Sequence, residues 1–140
     1  MTQSLYDRIG GFDKVLELTR RWHTLCLAHP VAAHPFEHTL HPQHDERLAA
    51  YLAQALGGPA LYTAGYGDET AMQRLHAGNG VHVELDEACL TLFDQALKDT
   101  GIAPDAAASI SAYFRSATES QREWASKTAQ VPNGLPFRYL

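Results

Sequence analysis

The stretch from His34 to His44, HPFEHTLHPQH, holds four of the chain's eight histidines. Imidazole is the commonest metal-binding side chain and titrates near neutral pH, so this density points to metal or proton chemistry. The intervals 34/38, 38/41 and 41/44 are those at which side chains meet on one helical face. Pro35 and Pro42 argue against one continuous helix, because proline removes an amide donor and pushes the preceding residue out of the helical region. No thiolate lies nearby, and Glu37 and Asp45 are the only close carboxylates. A zinc site made from this segment alone is therefore disfavoured, and His34, His38 and His41 read as surface residues of a connecting turn.

His23 and His44 differ, because helical periodicity puts each on an apolar face. Taken singly, each reads as a core histidine bonded to a backbone carbonyl. Taken together, on two helices, they read as a shared polar spot in an apolar pocket, which is the composition of a ligand site. His76 closes a short helix just before Gly78-Asn79-Gly80. It reads equally as a ligand or as a helix-terminal histidine favoured by the macrodipole. Cys89 sits mid-face on its helix, where free cysteine behaves as a small hydrophobe. No order of Cys, His and Asp specifies a nucleophile, and no glycine loop is built to cradle phosphate.

Helices must position these groups, since apolar residues recur at helical spacing along most of the chain and no stretch alternates with period two. The pattern predicts helices at about Phe12–Ala28, from Pro42 or Gln43 to Gly57, at Asp68–His76, at Glu84–Lys98 and from Pro104 to about Lys127. Pro30 ends the first, and Gly57-Gly58-Pro59 stops the second. The fold class is all-α, with four substantial helices and one short one. With 140 residues, 45% of them hydrophobic, the chain fits a single domain over 1–140, with 129–140 as an irregular tail. A net charge of −5 without a basic cluster excludes nucleic acid and an anionic membrane surface as expected partners. Two distant cysteines make no disulfide scaffold, and no apolar run of signal or membrane-spanning type is present, so the expected location is the cytoplasm.

Several motifs resemble those of the truncated hemoglobins, most nearly the group II branch. Tyr6-Asp7-Arg8-Ile9-Gly10-Gly11 is similar to that family's Y-x-x-I-G-G. Leu52-Ala53-Gln54-Ala55-Leu56-Gly57-Gly58-Pro59, followed by Tyr62, resembles its F-L-x-Q-x-L-G-G-P-x-x-Y, the most specific part of the match. Gly67 and Arg74-Leu75-His76 resemble its G-x-P-x-L-R-x-R-H, with about one extra residue here. The resemblance covers roughly residues 4 to 101. It implies a two-over-two helical globin sandwich with a short proximal helix, heme b as cofactor and His76 as the proximal iron ligand.

The resemblance further implies a heme pocket of Phe36, His41 (as a propionate contact), His44, Leu48, Tyr51, Leu52, Tyr62, Met72, Cys89 and Phe93. His23 takes the place of the family's usual distal tyrosine, and His44 lies at the distal gate. Cys89 stands where group II members carry tryptophan, and Ala77-Gly78-Asn79 replaces the family's A-P-F step. The function implied is reversible binding of a diatomic gas (oxygen, carbon monoxide or nitric oxide). An imidazole N–H at His23 or His44 would donate to the bound gas, or one of these rings would itself bind iron. A reductase partner and a monomeric or homodimeric state are expected. Two alternatives stand beside this one. The first is a heme enzyme of peroxidase or nitric oxide dioxygenase type, with the two distal histidines as acid and base. The second is a globin-shaped interaction or sensor module that has lost heme.

Overall fold

The computed structural model describes residues 3–38, 42–78, 80–126 and 130–140, and all regular structure in them is helical. Eight α-helices follow in order: α1 (Leu5–Ile9), α2 (Phe12–Leu27), α3 (His34–His38), α4 (His44–Ala55), α5 (Leu61–Gly65), α6 (Glu69–His76), α7 (Val83–Asp99) and α8 (Pro104–Ser120). A 3₁₀ turn at Gln121–Trp124 extends the last. Helix α2 packs on both α4 and α7, and α7 packs on α8, so two helix pairs lie across one core. No helix among the described residues is long and apolar enough to cross a membrane.

The long helices begin and end for local reasons. Pro104 occupies the first turn of α8, where a missing amide costs nothing. Asp68 caps α6, its carboxylate accepting from the Ala71 amide at 2.8 Å. Val15, Leu18, Trp22 and Cys26 recur every three to four residues along α2 and are buried. Phe93 of α7 is 1% exposed and stacks on Phe114 of α8 at 3.9 Å, which joins the second pair.

The structure differs from the sequence expectation in three ways. Residues 34–38 form a helical turn instead of a loop, because Pro35 falls in its first turn, where proline is tolerated. Two more one-turn helices, α1 and α5, appear where no period was long enough to read. The final helix stops at Ser120 and tightens into the 3₁₀ turn instead of running to Lys127, which lies outside the described residues.

The irregular tail is a strap. Tyr113 donates to the Arg138 carbonyl (2.6 Å), the Leu140 amide donates to the Ala55 carbonyl (3.0 Å), and Phe137 packs 4.7 Å from the Tyr51 ring. Thr70 donates to the Pro132 carbonyl and Arg74 to that of Val131, so the strap also holds α6.

The Gly-Gly-Pro corner after α4 has a steric reason. A Cβ on Gly58 would sit 2.7 Å from the Ala53 carbonyl oxygen and 2.7 Å from Tyr6 Cδ1. Tyr6 in turn donates its amide to the Leu56 carbonyl, so α1 is docked directly on this corner. Gly58→Ala is expected to destabilise the fold by about 1–3 kcal/mol through forced displacement of α1. The midpoint of urea unfolding measures it; an unchanged midpoint would show that the corner has room to relax.

Candidate functional site

Two helices bring the distal histidines together. His23 projects from α2, and His44 opens α4, the helix packed against it. The His23 ring stacks on Phe36 of α3 at 4.8 Å, and Phe36 meets His44 edge-on at 5.4 Å. The two imidazoles lie 5.7 Å apart, nearly perpendicular.

Asp45, which the sequence marked only as a nearby carboxylate, organises this group. Its Oδ1 accepts from Nδ1 of His23 at 2.8 Å and, at a longer 3.4 Å, faces Nδ1 of His44. The carboxylate sits in the first turn of α4, where the helix dipole favours negative charge. Its backbone carbonyl accepts from Thr19 Oγ1, which ties the turn to α2. A carboxylate only accepts, so each Nδ1 carries the proton. A neutral ring then keeps its lone pair on Nε2, and only the protonated ring offers a second N–H. The expected imidazole N–H toward a bound ligand would then come from Nε2 of a protonated ring. The signal in the sequence was an acidic residue directly following a histidine at a helix start, which reads first as a dipole complement.

His76 ends α6 and is exposed, with Nδ1 donating to the Met72 carbonyl one turn back at 2.8 Å. That bond fixes the tautomer with the lone pair on Nε2, the state in which a histidine binds metal. The chain then leaves the helix through Ala77 in extended conformation and Gly78 at φ +77°. Gly78 and Gly80 donate their amides to the carbonyls of Trp124 and Ala125 at 2.9 and 2.7 Å. The loop that lacks the Pro-Phe step is thus held by the 3₁₀ turn. Leu75, Val81 and Val83, all within seven residues of His76, remain exposed apolar side chains.

The apolar residues expected at the site are buried or half-buried against the core. Met72 is buried, and Phe36, Leu48, Cys89 and Leu92 are half-buried against the core. Leu52 and Phe93 are each 1% exposed and enclosed by protein. Tyr51 donates to Glu69 at 2.6 Å and packs edge-on against Tyr62 at 5.2 Å, on the side covered by Phe137. Of the residues predicted for the site, His23, Phe36 and His44 therefore form one cluster and Met72 and His76 one helical turn. Tyr51 and Tyr62 join the aromatic packing beneath the tail. His41 lies outside the described residues.

Cys89 faces Cys26 of α2. The hydrogen bond between the two thiols raises the Cys26 pKa well above the ordinary range, with burial adding to the effect. The same bond lowers that of Cys89 against the opposing effect of burial. Beside them the Trp22 indole donates to the Cys89 carbonyl at 2.9 Å, so the tryptophan next to Cys89 comes from α2.

Residues 4–121 match the family model of the bacterial-like globins, and the chain belongs to that family. Among solved structures it is similar to the hemoglobin of Chloroflexus aurantiacus, at 25% identity over 86% of this chain and 98% of that one, with a TM-score of 0.74. The group II 2-on-2 hemoglobin of Agrobacterium tumefaciens matches at 25% identity over 86% and 95%, with a TM-score of 0.71. The group II truncated hemoglobin of Bacillus anthracis matches at 22% identity over 96% of both chains, with a TM-score of 0.73. A comparison with curated protein sequences gives no match. The fold is that of the truncated globins, and family membership implies a heme cofactor. The donor set fits such a group: an imidazole with its lone pair on Nε2 at the end of α6, exposed apolar side chains near it in the chain, and a histidine cluster on α2 and α4.

Two measurements follow. Burial lowers the His44 pKa below the usual histidine value; Asp45 opposes this, while His23 and His76 add to it. The unfolded chain therefore takes up this proton first, and the folded state loses stability as pH falls from about 7 to 5. Thermal melts over that window should show a smaller loss for His44→Gln than for wild type; equal losses would remove His44 as the cause. Cys89, half-exposed and lowered, should react with iodoacetamide well before the fully buried Cys26. Peptide mapping after partial alkylation reads the order, and first modification at Cys26 would contradict the assignment.

Proposed function

We propose that this chain binds heme b through Nε2 of His76 and holds a diatomic gas on the face beneath His23, His44 and Phe36. The observation that carries the reading is the Nδ1–H bond from His76 to the Met72 carbonyl, which puts the lone pair on the outer nitrogen of an exposed helix terminus. Exposed Leu75, Val81 and Val83 supply apolar surface for a porphyrin to cover. When bound, heme supplies the iron at which a gas is held.

The residues of the chain set the polarity around that gas. Met72, Leu48, Leu92 and Cys89 exclude water from the pocket. Because Asp45 engages Nδ1 of both distal rings, a neutral ring presents a lone pair and a protonated ring presents a donor. Hydrogen bonding to the gas is then gated by protonation, unlike donation from a tyrosine or tryptophan. We place the protein in the cytoplasm as a monomer or homodimer, served by a separate reductase.

The Asp45–His23 pair favours a second reading, peroxide-dependent oxidation. A carboxylate-held imidazole with its lone pair on Nε2 is suited to take a proton from hydrogen peroxide in the same pocket. Peroxide turnover that survives both His23→Ala and His44→Ala would rule this reading out.

Titration of the purified chain with hemin tests the main proposal. Wild type should saturate at one hemin per chain with a sharp Soret band that shifts on reduction under carbon monoxide. His76→Ala should weaken hemin binding by at least the roughly 10–100-fold that loss of an outer-sphere partner costs a metal site. Absence of a Soret band in wild type would refute heme binding, and an unchanged spectrum in the variant would move the ligand to His82.

A further inference from the structure

We propose that His23, His44 and Asp45 form a second metal site, for one divalent transition-metal ion that prefers imidazole, separate from the heme ligand His76. One ligand atom from each residue lies within 4.8 Å of the other two. Around a tetrahedral ion with metal–nitrogen bonds near 2.0–2.1 Å, neighbouring donors stand about 3.4 Å apart, and about 3.0 Å apart around an octahedral one. The Asp45–His23 separation of 2.8 Å and the Asp45–His44 separation of 3.4 Å match those edges; both are measured at Nδ1, so the ion takes the place of the Nδ1 proton and each neutral ring then carries its proton on Nε2. Only the spacing between the two imidazoles has to close, by at most roughly 1.4 Å against the tetrahedral edge. Rotation of two rings about their broad terminal torsions covers that distance without backbone movement.

Three further features suit a metal. The donors come from α2 and α4, whose mutual packing fixes the approach of the two backbones. The three side chains are 19–28% exposed, so an ion has a route in and yet is shielded from bulk water. Phe36 stacks on one imidazole and meets the other edge-on, walling the site on the side of α3. Two imidazoles and one carboxylate select zinc, iron, cobalt, nickel or copper over magnesium and calcium, which prefer oxygen throughout. The set leaves at least one coordination position for water or a small ligand.

Isothermal titration of the full-length chain as purified with Zn²⁺ tests the site and does not depend on heme being the cofactor. Wild type should bind one Zn²⁺ per chain. His23→Ala, His44→Ala and Asp45→Asn should each weaken it at least tenfold while keeping the wild-type far-ultraviolet circular dichroism. The double variant His34→Ala/His38→Ala, in the neighbouring histidine-rich segment, should bind as wild type does. X-ray absorption at the zinc edge of the loaded chain should report two imidazole nitrogens and oxygen. The proposal is overturned if wild type shows no saturable binding or if the three single variants bind Zn²⁺ as tightly as wild type. It is equally overturned if the double variant is the one that loses the ion.

Discussion

Trp22 is the contact on which the rest of the pocket depends. Its indole meets the rings of Phe36, Phe93 and Phe114 edge-on, at 5.3, 6.0 and 5.3 Å, and its N–H is spent on the carbonyl of Cys89. One side chain of α2 thereby touches α3, α7 and α8 at once. Edge-to-face aromatic pairs contribute about 0.5–1.5 kcal/mol each beyond their buried area, and the buried hydrogen bond adds about as much. The next residue is His23, turned roughly 100° around the same helix. With Trp22 fixed in the core, His23 has one direction left, toward Phe36, His44 and Asp45.

The replacements that set this chain apart from the group II pattern are accommodated by its own packing. A cysteine at position 89 leaves less side chain between α2 and α7, and the Trp22 indole lies against that point. Its donor is aimed at a carbonyl, so the indole does not offer it to a ligand. The loop after His76 lacks a Pro-Phe step and instead spends two glycine amides on the 3₁₀ turn.

Much of the fold was legible because α2, α4, α6, α7 and α8 are long enough, or capped strongly enough, to show a period. Helices of five residues such as α1, α3 and α5 make barely one turn, and no periodicity can register in them. In the site, His23, His44 and His76 were visible as histidines on apolar faces or at a helix end, and Phe36 through the resemblance. Asp45 was visible only as a nearby carboxylate, since an acidic residue in a first helical turn has a sufficient explanation in the helix dipole. Not visible was the meeting of Cys26 with Cys89, sixty-three positions apart in the chain, which only the docking of α2 on α7 creates.

The bonds from Gly78 and Gly80 to Trp124 and Ala125 have a mechanical side. They join the end of α6, where His76 sits, to the end of α8 through two residues at φ near +80°, a conformation open to glycine at little cost. The loop that follows His76 and the turn that follows α8 therefore share one backbone-bonded junction, and the candidate iron ligand is anchored to a helix it precedes by nearly thirty residues.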